Sequence, residues 1–282
     1  MTGPPPRGSD SISPTAHYTG AVWSRNGMST PELSTGLGRL SFNSLRPTMA
    51  ISGALGGVTL EQFLLARHRL IDHLLGAAIA AGRISQVLEI AAGMSPRGWR
   101  FARDHGPEID YIEADLAAMA ARKRVALERA NSLTEHHRVV DIDALSDTGP
   151  NSIGAITAGL DPERGLAVIT EGLIAYLDLN GVLGLWRRTA TALAGFPDGF
   201  YLSDLHLGNE NSGPATWAFK LALGAFVRGE VELHFDTAAE AEAALLDCGF
   251  AGATLHRPVD FADRVEVSGK GAELVRVIEA SP

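Results

Sequence analysis

The stretch VLEIAAGMSPRGWRF, Val87 to Phe101, decides how the whole chain is read. An apolar run ends in Glu89, Ile90, two alanines and a lone glycine, Gly93; Arg97 and Arg100 then follow one helical turn apart. A short apolar segment closing on a glycine predicts a strand buried on both faces that turns sharply into a helix. The charges need more than that. A buried, unpaired Glu89 would be costly, so it pairs with an arginine or meets a ligand.

The same alternation runs outward in both directions. From Thr59, a plausible N-cap, Leu60, Phe63, Leu64, Leu70, Ile71, Leu74 and Leu75 return at spacings of three and four, predicting a helix that ends near Gly82. Downstream, the strand-like runs IDYIEA, HRVVDI, LAVIT and FYLSDL alternate with helical patterns in LAAMAARKRVALERA, EGLIAYL and Val182 to Leu193. A helical region through Trp217 to Phe226, the run VELHF, the helix TAAEAEAALLDCG and the strands ATLHRP and LVRVIEA complete the pattern. Strands alternating with helices signal βαβ units. The expected fold is α/β, a Rossmann-like, mostly parallel sheet of about seven strands with helices on both faces, its last two strands an antiparallel pair.

Residues 1–15, rich in Pro, Gly and Ser, are expected to form a disordered tail, and residues 16–57, which mix aromatics, glycines and polar residues without periodicity, an N-terminal helical lid. Residues 58–282 are expected to form the main domain. The chain has 282 residues, 45% of them hydrophobic, and a formal net charge of -9 with no Lys/Arg cluster. Neither a nucleic acid nor an anionic membrane is therefore the expected partner; a small molecule is, and self-association stays open. A single cysteine, Cys248, excludes an internal disulfide framework and a cysteine-based zinc cluster; no metal site is expected. No segment reads as a signal peptide or a bilayer-spanning helix, so a cytoplasmic location is expected.

In open parallel sheets, ligands sit beyond the carboxyl ends of the strands. Four successive strands here end in carboxylates: Glu89 before Gly93, Glu113 and Asp115, Asp141 and Asp143, and Glu171. Gly93 lets a ligand approach the backbone, and a carboxylate after the second strand can accept both hydroxyl protons of a ribose. An adenosine-containing cofactor follows. GxGxxG is absent and GxxxxGK[ST] is absent, which weakens the case for a nicotinamide dinucleotide or a nucleoside triphosphate. S-adenosylmethionine, with adenosine and an amino-acid end but no phosphate, fits better; Arg67, Arg97 and Arg100 are candidates for its carboxylate.

The set ARHRLID, VLEIAAGMSPRGWRF, YIEADL, VVDIDAL and VITEGLIAYL, with AHYTGAVWSRNGMS near the start, resembles the leucine carboxyl methyltransferase family, and within it the bacterial branch that includes polyketide carboxyl methyl-ester synthases. That resemblance extends over about residues 16–260. It implies an S-adenosylmethionine-dependent O-methyltransferase. By the same resemblance Arg67 binds the cofactor carboxylate, Gly93 lines its amino-acid end and Asp115 holds the ribose. Asp141, Ile142 and Asp143 surround adenine, Glu171 contacts the amino-acid portion, and Tyr176, one turn on, faces the substrate cavity. The chain departs from the family at Ala91, where glycine is usual, and at Ser95-Pro96, where Asp-Thr is usual. Ala91 is expected in extended backbone, and Pro96 removes an amide donor.

Each of these residues also has a plainer reading. Glu89 can form a structural ion pair, Asp115 can cap the following helix, Arg67 can be a surface charge and Glu171 can favour a helix start. His17, Tyr18, Trp23 and Asn26 read equally as packing or as substrate contacts, as does His206; Trp217 and Phe219 read as core. The expected acceptor is the carboxylate of a small acid of polyketide or other secondary-metabolite type. It is already ionised at neutral pH, whereas a phenol near pKa 10 needs a base such as His17 or His206. A nicotinamide-dependent oxidoreductase and a non-catalytic cofactor-binding protein are the rival classes.

Overall fold

The computed structural model describes residues 14–34, 59–209, 233–267 and 269–282. The expected tail up to residue 13, most of the lid segment (35–57), the helix through Trp217 to Phe226 and the start of VELHF lie outside the described residues. Helix α1 (Pro14–Arg25) comes first, then α2 (Leu60–Ala80), β1 (Gln86–Ile90), α3 (Arg97–His105), β2 (Asp110–Asp115), α4 (Ala117–Arg129) and β3 (His137–Asp141). They are followed by α5 (Ile153–Thr157), β4 (Leu166–Thr170), α6 (Leu179–Leu193), β5 (Gly199–Leu205), α7 (Ala238–Asp247), β6 (Gly252–His256) and β7 (Arg276–Ser281).

The seven strands form one sheet in the order β3-β2-β1-β4-β5-β7-β6. The first five are parallel, and β7 runs antiparallel to both β5 and β6. The expected antiparallel pair is present, with one refinement: the last strand inserts between β5 and β6 instead of adding at the edge. Of VELHF, Phe235 makes a single parallel bridge to Leu207.

Alternation explains the layering. Val87, Tyr111, Ala167 and Phe200 point to the face covered by Leu70, Ile71 and Leu75 of α2, while Leu88, Ile112, Val168 and Tyr201 point to the face covered by Trp186 of α6 and Leu245 of α7. Every residue of β1 and β4 is buried, as two covered faces require. Each fully buried Leu, Ile or Val contributes about 1.5–3 kcal/mol relative to exposure.

The helix signals resolve locally. The Thr59 side chain accepts from Gln62 N at 3.3 Å, which starts α2, and Thr237 and Glu240 form a reciprocal capping box on α7. EGLIAYL, expected as a helix, forms only a 3-10 turn over Ile174–Tyr176, because Gly172 sits at φ 72 and breaks the helical path. Leu116, not Asp115, occupies the N-cap of α4. Cys248 is buried at the C-cap of α7. Among the described residues no helix is long and apolar enough to cross a membrane.

One expectation about the loop after β1 is overturned. Ala91 is not extended; it adopts φ 55, and Gly93 two residues on adopts φ 48. The turn needs a left-handed residue there, and a Cβ in that region costs about 1–2 kcal/mol. Ala91→Gly should therefore raise stability by roughly 0.5–1 kcal/mol once the extra freedom of glycine in the unfolded chain is deducted. Urea unfolding of the two forms measures this, and no gain would mean the turn carries no strain.

Candidate functional site

The order β3-β2-β1-β4 sets four carboxyl ends side by side, and the register pairs Asp115 with Asp141 and Ile90 with Thr170. At the tip of β2, Asp115 Oδ2 accepts from Gly93 N at 2.7 Å and Oδ1 from Leu116 N at 2.8 Å. Each oxygen keeps lone-pair capacity for a further donor. Burial pushes this carboxyl above its ordinary value, against the lowering pull of those two N–H groups and of the Lys123 ammonium. Next to it, Asp141 Oδ1 is buried without a hydrogen-bond partner among the described residues, its nearest cation being Arg124 Nη2 at 3.8 Å. Ile142 is buried, whereas Asp143 is exposed and accepts from Leu145 N at 3.1 Å, which closes a turn.

A second group of charges lies at the ends of β1, β4 and β5. Arg97, at the start of α3, is fully buried and commits all three guanidinium nitrogens: Nε to Asp72 at 2.6 Å, Nη1 to Glu89 at 2.7 Å and Nη2 to Glu171. Arg67 of α2 gives Nε to Glu171 at 3.1 Å and Nη1 to Asp204 at 2.6 Å. Asp204 also accepts from Gly172 N at 2.6 Å, which ties β5 to the turn after β4. His68 lies 2.8 Å from Glu171 and 2.9 Å from Arg100, which itself pairs with Asp72. The Tyr111 hydroxyl donates to the second oxygen of Glu89 at 2.8 Å. Burial alone would raise the Glu171 carboxyl, but His68, Arg97 and Arg67 outweigh it and hold it well below the usual carboxylate range. Asp72 is lowered too, with His68, Arg97 and Arg100 prevailing over burial.

The sequence-derived residues thus divide. Asp115, Asp141, Ile142 and Gly93 gather at the β1-β2-β3 tips. Arg67, Glu89, Arg97 and Glu171 gather in the ion network, where each Arg97 nitrogen already meets a carboxylate and Arg67 retains Nη2, which a Cβ on Gly172 would approach to 3.0 Å. Arg100, partly exposed, has a buried Nε with no partner among the described residues. Tyr176 is 45% exposed at the turn after β4. His17 and Tyr18 lie on α1, and their side chains are outside the described part; Trp23 of the same helix packs on His68 at 4.8 Å, so α1 covers the ion network. Asn26 donates to Glu61 at 2.9 Å.

His206, directly after β5, is buried against Phe63 and places Nδ1 3.2 Å from the Leu274 carbonyl. A carbonyl only accepts, so Nδ1 carries the hydrogen and Nε2 the lone pair in the neutral ring. Burial holds this ring below its ordinary value, against the raising pull of Asp204. The sequence reading missed Asp72, His68 and Asp204; the last closes a fifth strand, FYLSDL, by the same rule that flagged the first four. A surface hollow of about 510 Å³ beside α4, with Glu32, Met94 and Arg122 in its wall, includes none of the strand-tip carboxylates. Among the described residues no group of His, Cys, Asp and Glu could hold a metal ion.

This sheet order, with the antiparallel β7 inserted, and acids at the parallel strand tips define the Rossmann-like methyltransferase class of architecture. The sequence profile of the leucine carboxyl methyltransferase family matches residues 40–190, and the chain belongs to that family. A Frankia alni protein provisionally named an S-adenosyl-L-methionine-dependent methyltransferase is 30% identical over 131 residues, 46% of this chain and 44% of that protein. The chain spans less than half the length of the curated relatives it matches. Among solved structures, a Thermobifida fusca protein provisionally named a methyltransferase superposes with a TM-score of 0.63 at 14% identity, covering 94% of this chain and 93% of its own. A DUF574-family protein of Streptomyces avermitilis gives 0.60 at 15% identity, over 95% and 96% of the two chains. At these identities the likeness is one of fold.

Arg97→Met leaves Asp72, Glu89 and Glu171 without their shared cation and should cost about 3–5 kcal/mol in urea unfolding. The lowered Glu171 and Asp72 add stability that is present above the unfolded carboxylate value of about 4 and is lost as the pH falls through their depressed folded values. Wild-type stability should therefore drop steeply below about pH 4. A flat acid profile would show that the network is not formed.

Proposed function

We propose that the chain is an S-adenosylmethionine-dependent O-methyltransferase whose acceptor is the carboxylate of a small organic acid. The observation that carries this reading is the Asp115 carboxylate, anchored to Gly93 N at the tip of β2 with capacity to accept from a vicinal diol. Asp141 supports it, because a buried oxygen without a partner suits an amino group such as that of adenine. Family membership and the provisional name of the Frankia relative support it as well.

S-adenosylmethionine, when bound, supplies a methyl group made electrophilic by a sulfonium. The chain's own part is positioning and exclusion of water. Asp115 would take the ribose, Asp141 and Ile142 the adenine, and Arg67 Nη2 the amino-acid carboxylate. Asp72, Glu89, Glu171 and Asp204, paired with Arg67, Arg97 and Arg100, would hold the amino-acid end rigidly. Trp23 on α1 would shield the amino-acid end.

A carboxylate acceptor, with a pKa of about 4, is ionised at neutral pH and needs no base. One observation favours a second reading: neutral His206, with its lone pair on Nε2, could take the proton of a phenol or other hydroxyl.

Two measurements test these assignments. Asp115→Asn should weaken calorimetric binding of S-adenosylhomocysteine by about 1–3 kcal/mol, and an unchanged affinity removes Asp115 from the site. His206→Gln should leave kcat intact on a carboxylate acceptor. A fall of about 10²–10⁴-fold on a phenol acceptor that the wild type methylates would instead select the hydroxyl reading.

A further inference from the structure

Lys123 on α4 is fully buried, a rare fate for a lysine. Its ammonium pairs with Glu113 of β2, which is also fully buried, and donates to the Ala92 carbonyl at 3.1 Å. Glu113 Oε1 lies 2.7 Å from Nε2 of His137 on β3, whose Nδ1 lies 3.0 Å from the Ser132 carbonyl. Both nitrogens of that ring face acceptors, the arrangement of a ring with two N–H donors. Helix α3 closes over the group at Gly98, where a Cβ would overlap the Glu113 carboxyl. Apolar side chains of like volume would fill such a place without the desolvation penalty, so its charges ask for a use beyond packing.

The use lies at the far end of the lysine. The Ala92 carbonyl and the Gly93 N–H belong to one peptide plane. Lys123 grips its oxygen, and Asp115 Oδ2 accepts from its N–H at 2.7 Å. Ala92 N, in turn, donates to Ala114 O at 3.1 Å. The orientation of Asp115 is therefore set by a peptide whose opposite edge Lys123 holds.

Charge points the same way. Around Asp115 stand Lys123 from α4, Glu89 from β1, Glu113 on β2 itself and Asp141 across the register on β3, with Arg124 beside that aspartate. Against this excess of acid, Lys123 is the cation that lowers the Asp115 carboxyl, which burial raises. Burial also raises Glu113, but Lys123 and His137 outweigh it and hold it ionised, so Glu113 spends part of the lysine's charge.

We propose that Lys123 is a positioning residue for the adenosine end of the cofactor: it holds the Ala92–Gly93 peptide and stands as a positive charge behind Asp115, so that this carboxylate is both aimed and anionic where the ribose hydroxyls arrive. The inference rests on the S-adenosylmethionine reading given above.

The test is calorimetric binding of S-adenosylhomocysteine to the full chain as a function of pH. Binding needs ionised Asp115, so affinity is present above its folded value and falls as the pH drops through it. Lys123→Gln keeps a donor for Ala92 but removes the charge, and should move this acid limb to higher pH. Glu113→Gln leaves the lysine charge uncompensated and should move the limb to lower pH. Lys123→Met loses donor and charge together, and should add a loss of about tenfold at neutral pH. A purely structural role would weaken binding in all three without opposite shifts.

Opposite displacement of the limb in the two Gln variants supports the inference. A limb that stays in place, or moves the same way in both, overturns it. Circular dichroism checks that each variant folds; where a Lys123 variant does not, the direction in Glu113→Gln decides. A wild-type chain that fails to bind S-adenosylhomocysteine overturns the functional reading and this inference with it, whereas an unshifted limb in variants that bind overturns this inference alone.

Discussion

The Arg97 guanidinium is the constraint on which the rest of the strand-tip architecture depends. Asp72 on α2, Glu89 on β1 and Glu171 after β4 all lie in low-dielectric surroundings, and Arg97 touches each of them. Carboxylates buried this close together repel unless a cation sits among them. A planar fork with donors on three nitrogens can serve three acids from three elements at once, which an ammonium on a flexible stem cannot do with the same geometry. One side chain thereby fixes the approach of α2 and α3 to the sheet. Pro96, immediately before it, holds the chain at φ -88 where α3 begins and so limits where Arg97 can start.

A second polar system, Lys123 with Glu113 and His137, occupies the neighbouring end of the sheet. The two meet at the turn after β1. Arg97 anchors the strand through Glu89, and Lys123 anchors the turn through Ala92. Between them the backbone goes left-handed at Ala91 and again at Gly93, a path that local preference alone would not choose. Contacts on both sides of the turn supply the free energy that holds it there.

Much of the fold was legible in the sequence because it rests on periodicity. The buried runs QVLEI and LAVIT, the three-and-four spacing after Thr59 and the Thr237 to Glu240 capping box each state their structure locally. What stayed hidden depends on distant neighbours. No local signal tells that β7 inserts between β5 and β6, since both edges accept an antiparallel strand. Nothing in TEGLIAYL shows that Gly172 turns left-handed to donate to Asp204. The site divides by the same rule: Asp115 was readable from its place after the second strand, but Lys123 looks like any lysine in an alanine-rich helix until the fold buries it.

That division bears on what the acids do. A carboxylate tied to a guanidinium by short, buried contacts presents little net charge to a ligand, because most of its field terminates on its partner. Glu89 and Glu171 are in that condition, so identical residue types at successive strand tips are not equivalent. Asp115 and Asp141 are different: one is anchored by backbone N–H groups, and the other has an oxygen with no hydrogen bond among the described residues and Arg124 only at 3.8 Å, so both keep more of their negative potential than Glu89 or Glu171. In the proposed reading, discrimination in favour of a cationic, hydroxyl-rich ligand falls to this pair. The arginine network beneath contributes rigidity more than attraction, because reorienting Glu171 to meet a ligand would break contacts with Arg67, His68 and Arg97 together.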